Sequence, residues 1–260
     1  MKDIMTVVLL HIQIMINKKE FFLDIPINSF TMKETLSKVE LAISRQKQIH
    51  HTVVNAGKIV LMQNNEELAD SVKSADIINA DGQAVVWALS LLGKKIPGRV
   101  AGIDLMENLV DLSFHKGYKC FFFGAKEEVV SKVVDVYRKA YSDNIIAGYR
   151  NGYFNEGEEE RIASDISKSG ANILFVAITS PKKEIFLNTY KKQLENVNFI
   201  MGVGGSFDVI SGKIKRAPLW MQNSGLEWFF RLIQEPKRMW KRYLVGNSKF
   251  IWLVFKEFFK

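Results

Sequence analysis

Residues 77–89 read IINADGQAVVWAL. Ile77 and Ile78 have the β-branched, apolar character of a buried strand end, and Ala84 to Leu89 read as a helix. Between them Asn79, Asp81 and Gly82 form a short polar turn. An apolar strand that passes through such a turn straight into a helix is the first half of a crossover unit, the usual source of parallel sheets. Asp81 has two compatible uses here. Its carboxylate suits the N-cap of the following helix. It also suits a general base, because ligands of parallel α/β sheets bind beyond the carboxyl ends of the strands.

The same pattern recurs on both sides of this stretch. HTVVNA precedes a helical run through ELADSVKSA, KCFFFGA precedes KEEVVSKVVDVYRKAYS, and IIAGYR precedes NEGEEERIASDISKSG. ANILFVAI then precedes SPKKEIFLNTYKKQLE, and NFIMGVGG precedes SFDVISG. Strands that read as continuous apolar runs are buried on both faces. The expected fold is therefore α/β, a Rossmann-like, mainly parallel sheet with helices on both faces. The loops after VVNA, IINA, FFFG, FVAI and MGVGG should line one cleft.

With 260 residues, 47% apolar and 25% charged, the chain has the composition of a globular protein with a sizeable core. Its one cysteine, Cys120, excludes an internal disulfide, no Cys/His cluster offers a zinc site, and a reducing cytoplasmic setting fits. The N-terminal MKDIMTVVLLHIQIM is too short to span a membrane and has no small-residue cleavage site. Residues 1–14 read as a misassigned or disordered extension, with Met15 as an alternative start.

The net charge of +8 is confined to one end. From Lys213 onward there are eleven Lys and Arg against three Glu, so residues 1–212 balance to zero. We accordingly divide the chain into a core, 1–212, and a basic aromatic helical appendage, 213–260. Pro236 should separate two helices in the appendage, with Arg238, Arg242, Lys249, Lys256 and Lys260 on one stripe of the second. Such a segment fits a packed subdomain, a nucleic-acid patch or a membrane-surface helix. Apolar residues as dense as FIWLVFKEFF favour the membrane over nucleic acid.

Several short motifs are ambiguous alone. MGVGGSFD lacks the third glycine of a dinucleotide fingerprint, since position 207 is Phe. Gly124, Gly204 and Gly205 still permit close approach to a nucleotide. TSPKKEIF starts a helix at Pro181, and its Lys182, Lys183 and Glu184 read locally as a solvated charged turn. Arg99, in GRVAGIDL, suits pairing with a phosphate or an acid. His50 and His51 read as structural. No D-x-D sequence occurs, so no dedicated nucleotide-sugar metal site is indicated.

Together, VVNAGKIVLMQNN, INADGQAVVWA, GRVAGIDL, FFFGAKEEV, GYRNGYF, ITSPKKEIF and the block from Gly202 to Tyr243 resemble the WecG/TagA/CpsF glycosyltransferases, glycosyltransferase family 26. The resemblance runs from about Phe22 to Tyr243 and is most specific in its last block. It implies inverting, metal-independent transfer of a sugar from a UDP-sugar to a polyprenyl-diphosphate-linked acceptor. Teichoic acid, capsule and exopolysaccharide synthesis use such products. It makes Asp81 the base and implies a C-terminal appendage that docks to the membrane and closes over the site, giving Arg231, Arg238 and Arg242. Three positions depart from the family pattern: Val53 stands where Thr is frequent, Lys183 where Gln is usual, and Ala101 where Thr is usual.

These strands of evidence give a glycosyltransferase, cytoplasmic and peripheral on the inner face of the membrane. Its base is Asp81. Substrate contacts are expected from Asn55, Asn79, Gly82, Arg99, Gly124, Pro181, Lys182, Lys183, Glu184, Gly204, Gly205, Arg231, Arg238 and Arg242, with Asn55 and Asn79 orienting sugar hydroxyls. No metal, cofactor or nucleic acid is expected, and a homo-oligomer is compatible. The rival readings are an NAD(P)-dependent oxidoreductase, which needs the missing fingerprint, and a non-enzymatic nucleotide- or anionic-lipid-binding module.

Overall fold

The computed structural model describes residues 18–260. The expectation for residues 1–14 lies outside them. The chain opens with an antiparallel hairpin of β1 (Lys19–Phe22) and β2 (Ile25–Asn28), closed by Leu23 and Asp24 at positive φ. Two successive positive-φ residues give the turn the twist that matches a hairpin. This hairpin is not legible in the sequence. Leu-Asp is not a common turn pair, and Pro26 weakens the second run as a strand.

After α1 (Met32–Ser44) come β3 (Ile49–Val54), α2 (Ala56–Met62), α3 (Glu66–Lys73), β4 (Ile77–Ala80), α4 (Gln83–Leu91) and α5 (Gly102–Lys116). Then follow β5 (Cys120–Gly124), α6 (Glu127–Ala140), β6 (Ile146–Arg150), α7 (Glu159–Lys168), β7 (Ile173–Ala177), α8 (Lys182–Thr189), β8 (Phe199–Gly202) and α9 (Ser206–Ile210). Strands β3 to β8 form one six-stranded sheet in the order β4-β3-β8-β7-β5-β6, and every pairing is parallel. The α/β class and the parallel sheet are as expected.

Side chains alternate across the sheet as a strand's two-residue period requires. Phe122, Phe175 and Phe199 pack on one face with Leu105, Leu109, Val130 and Val134. Phe121, Phe123, Leu174, Val176 and Ile200 pack on the other with Ile162, Ile166 and Phe186. The hairpin covers the β4 side, where Phe22, Ile25 and Ile27 are fully buried. There Asn28 Oδ1 accepts the Ile78 N–H at 2.8 Å, satisfying an edge-strand donor.

The appendage holds α10 (Leu219–Asn223), α11 (Glu227–Gln234) and α12 (Pro236–Phe258), with Pro236 at the first position of the last helix as expected. Lys260 falls beyond the helix end, so it does not extend the cationic stripe. Helix α12 lies along α2. Its Phe250 and Val254 are buried in the same cluster as the hairpin, and Phe250 meets Phe22 edge-on at 5.8 Å between ring centres. By sequence and charge the appendage is distinct, but its last helix shares the core of residues 1–212. Trp240, Leu244, Ile251, Trp252 and Phe255 are exposed on one side of α12, with Lys249 and Lys256 between that side and the buried one. Among the described residues, no helix is long and apolar enough to cross a membrane.

Candidate active site

The site is built where β3, β4 and β8 end. The Asp81 N–H donates to Val54 O at 3.0 Å, which continues the β3–β4 ladder one residue past β4. The loop between α4 and α5 then runs back along this end. Val100 N–H donates to Ala80 O at 2.8 Å, and Gly102 N–H donates to Asp81 Oδ1 at 3.1 Å. Asp81 therefore caps a helix, but α5 rather than the helix that follows it. Gly82 holds the cap position of α4 with no side-chain bond. A side chain on Gly82 would begin 3.2 Å from Asn55 Cβ, so glycine lets the two strand-end loops approach. Asn55 caps α2, its Oδ1 accepting the Lys58 N–H at 3.0 Å.

Asp81 remains partly open. Burial pushes its carboxyl above the ordinary aspartate value; the Gly102 N–H opposes this, Glu227 reinforces it, and Arg99 and Lys58 oppose it. The net direction is upward. The position thus combines a carboxylate, strand-end geometry and raised basicity.

Beside it lies a buried cationic cluster. The expectation of a solvated turn at TSPKKE holds for Lys182, which is exposed, and fails for Lys183 and Glu184, which are buried. Lys183 Nζ and Lys58 Nζ both reach Glu184 Oε1, at 2.5 and 2.7 Å. Lys58 Nζ also donates to Thr52 Oγ1 at 3.3 Å, which gives Thr52 a role in holding this cluster. The Lys183 stem lies on Gly202 at the end of β8, where a Cβ would come within 3.0 Å of its Cδ and Cε. Burial is the main cause holding Lys183 down, to about 8, with Lys58 adding to it against Glu184. Burial would raise Glu184, but the two ammonium groups overcome it and bring it to about 2. Two cations share one anion, so a positive charge is left unbalanced in a buried place. That arrangement favours an anionic ligand.

The appendage closes over these strand ends with two of its three expected arginines. Arg231 lies against Gly205, where a Cβ would stand 2.5 Å from its Nη2. Arg242 lies against Gly57 in the first turn of α2, where a Cβ would stand 3.5 Å from its Nε. Arg238 and Arg242 are both exposed and Arg231 also pairs with Glu235, but only Arg231 and Arg242 meet the strand-end glycines, while Arg238 pairs with Glu235 at 2.6 Å. Arg238 stands one turn before Arg242 on the same helix face, so it lies farther along the helix axis from Gly57. Arg99 Nη1 pairs with Glu227 Oε2 at 2.9 Å, and Arg216 bridges to Asp104 and Glu107 of α5. Pro181 sits half-buried at the start of α8, and Gly204, at φ +54, leaves open space after β8.

Two of the expected contacts are packed at the strand ends. Asn79 is buried, its Oδ1 meeting His51 Nε2 at 2.9 Å while its Nδ2 has no partner among the described residues. A Cβ on Gly124, at φ +130, would come 2.5 Å from the Ala177 carbonyl carbon, so glycine there lets β5 end close against β7. His50 and His51 are buried and held down to about 3 and about 4, chiefly by burial, as structural histidines. No local sequence pattern marks Lys58, Arg216 or Glu227 as part of this site. Lys58 stood in the quoted NAGK and Glu227 in GLEW, but only the fold shows what each faces. Among the described residues, no group of three His, Cys, Asp or Glu is placed to hold a metal ion.

The sequence profile of the "Glycosyl transferase WecG/TagA/CpsF family" matches residues 21–260. A Bacillus subtilis (strain 168) protein named N-acetylglucosaminyldiphosphoundecaprenol N-acetyl-beta-D-mannosaminyltransferase is 37% identical over 188 residues, 72% of each chain. A Bacillus spizizenii (strain ATCC 23059 / NRRL B-14472 / W23) protein of the same name is 36% identical over 186 residues, 72% of this chain and 70% of its own length.

Proposed function

As a member of the WecG/TagA/CpsF family of glycosyl transferases, to which its sequence belongs, the chain is a glycosyltransferase. We propose that it transfers an N-acetylmannosamine-type sugar, with inversion and without a metal, from a UDP-sugar to N-acetylglucosamine on a polyprenyl diphosphate, for a bacterial cell-surface polymer. The names of the two relatives support the sugars. The observation that carries the chemistry is Asp81, a partly open carboxylate of raised basicity at the carboxyl end of β4.

In the proposed step the acceptor hydroxyl oxygen bonds to the anomeric carbon as its proton passes to Asp81. The bond from that carbon to the β-phosphate oxygen breaks, and UDP leaves with the electron pair. Negative charge thus grows on the diphosphate. Preorganised cations stabilise such charge most where water is excluded. Lys183 and Lys58 supply the buried positive surplus, and Arg231 and Arg242 approach from the appendage. This cation set is what supports a metal-free reaction. Asn55, beside Gly82, has its amide nitrogen and the second lone pair of its capping oxygen with which to orient a sugar hydroxyl.

The acceptor is a membrane lipid in this proposal, so the enzyme meets it at the inner membrane face. The exposed aromatic side of α12, bordered by Lys249 and Lys256, has the composition of a helix lying in the headgroup region. A panel of UDP-sugars, offered with a synthetic lipid diphosphate acceptor and read by product mass, tests the assignment. Transfer from UDP-N-acetylmannosamine, equal with and without excess chelator, is expected. Transfer from no UDP-sugar, or only with added Mg²⁺ or Mn²⁺, contradicts it.

A further inference from the structure

Glu227, an acidic side chain of the appendage, raises the pKa of the Asp81 carboxyl. Its place is determined from two directions. Gly225, two residues earlier, is buried at φ +74, and a Cβ there would come 2.8 Å from Gln83 Cγ and 3.2 Å from Trp87. The turn before α11 is therefore seated directly on α4, the helix that Asp81 precedes. From the other side comes Arg99. The backbone next to Arg99 is tied to the same strand end, through Val100 N–H to Ala80 O and Gly102 N–H to Asp81 Oδ1. The Arg99 guanidinium then meets Glu227 Oε2 at 2.9 Å, while Glu227 Oε1 faces Arg216 Nε at 4.0 Å. Arg216 is in turn held by Asp104 and Glu107 of α5.

The charges facing Asp81 are Arg99 from this loop, Lys58 from α2, the Gly102 N–H from α5 and Glu227 from α11. The Arg99 charge acts on Asp81, while its guanidinium is held by Glu227. We infer that Glu227 is a positioning residue of the reaction: brought in by the C-terminal segment, its carboxylate occupies the Arg99 guanidinium that otherwise turns to Asp81, and so leaves Asp81 free to accept a proton. A carboxylate paired with arginine is a weaker base, by 1–3 pH units for contacts of about 4–6 Å. The inference rests on Asp81 being the base, and it makes the seating of the appendage and the readiness of that base one event.

The test is a titration of the Asp81 carboxyl by NMR in full-length, ¹³C-aspartate-labelled protein, identified by its loss in Asp81→Asn, alongside the pH profile of kcat/KM. In Glu227→Gln the Asp81 midpoint should fall by about one pH unit or more, and the acid limb of kcat/KM should fall with it. Glu227→Asp, whose shorter reach weakens the Arg99 contact, should give a smaller shift in the same direction and serves if the Gln variant does not fold. In an Arg99→Gln background the Glu227→Gln shift should be clearly smaller, because no guanidinium remains to change partner. An unmoved Asp81 midpoint in Glu227→Gln, with only a lower melting temperature, makes Glu227 a fastening residue and overturns the inference. An equal shift with and without Arg99 overturns the exchange of partners. A midpoint that moves while the acid limb stays still counts instead against Asp81 as the base.

Discussion

Replacing Phe250 with Ala separates two roles of the last helix. Phe250 is 4% exposed and lies edge-on to Phe22, and Val254, one turn later, is buried in the same cluster. Truncating a buried Phe to Ala typically costs about 3–5 kcal/mol. Phe250 sits where the helix meets the hairpin at the edge of the molecule, so the lower end, about 3 kcal/mol, applies. For a chain of this size each kcal/mol lowers Tm by roughly 2–4 °C. Phe250→Ala should therefore melt about 6–12 °C below the parent. Ile251, the next residue, is 66% exposed, and Ile251→Ala should stay within about 0.5 kcal/mol of the parent. Calorimetric melts of both variants test this. Equal melting of Phe250→Ala and parent would refute the claim that the helix completes the core. If the claim holds, removing residues 236–260 exposes the hairpin cluster and destabilises the whole chain, so truncation is a poor probe of membrane binding.

Charge reversal at Lys249 and Lys256 should leave Tm and turnover of a short water-soluble acceptor unchanged while weakening liposome co-sedimentation, by roughly 1 kcal/mol for each lysine removed; unchanged sedimentation would mean that this face is not the anchor. Arg231→Ala and Arg242→Ala should each lower kcat by about 10²-fold, the usual cost of one preorganised donor, whereas Arg238→Ala should leave it near the parent. The reverse ranking would restore Arg238 to the site. Lys183 is held down to about 8, so it is charged below that pH and loses its proton as pH rises through it. Turnover should therefore fall above about pH 8, and Lys183→Gln should lower turnover below that pH and remove the limb. A limb that persists in Lys183→Gln belongs to another group.

The sheet was legible because buried parallel strands such as CFFFG and ILFVA need uninterrupted apolar runs, and little else in a globular chain does. The hairpin was not, because its two four-residue strands carry Pro26 and an uncommon turn pair, and their partner is tertiary. Asp81 was legible as a strand-end carboxylate, but which helix it caps depends on a loop 21 residues later that no local pattern encodes. Asn79 and Asp81 are two residues apart, as alternate positions of a strand are, yet one is buried with His51 and the other is partly open. The end of β4, between them, decides it. The same limit explains Lys183 and Glu184: their spacing looks solvated until Lys58 and Gly202 close around them. Of the three tail arginines, only packing of α12 on α2 tells Arg242 from Arg238.

Asp81→Asn asks whether Asp81 takes the acceptor's proton. Asparagine keeps an oxygen to accept the Gly102 N–H, so the cap on α5 and the fold are retained. It removes the base. Turnover of a UDP-sugar and lipid diphosphate acceptor, measured on folded Asp81→Asn beside the parent, should fall by about 10²- to 10⁴-fold, the usual contribution of a general base. A folded Asp81→Asn protein that turns over within a few-fold of the parent would contradict the account.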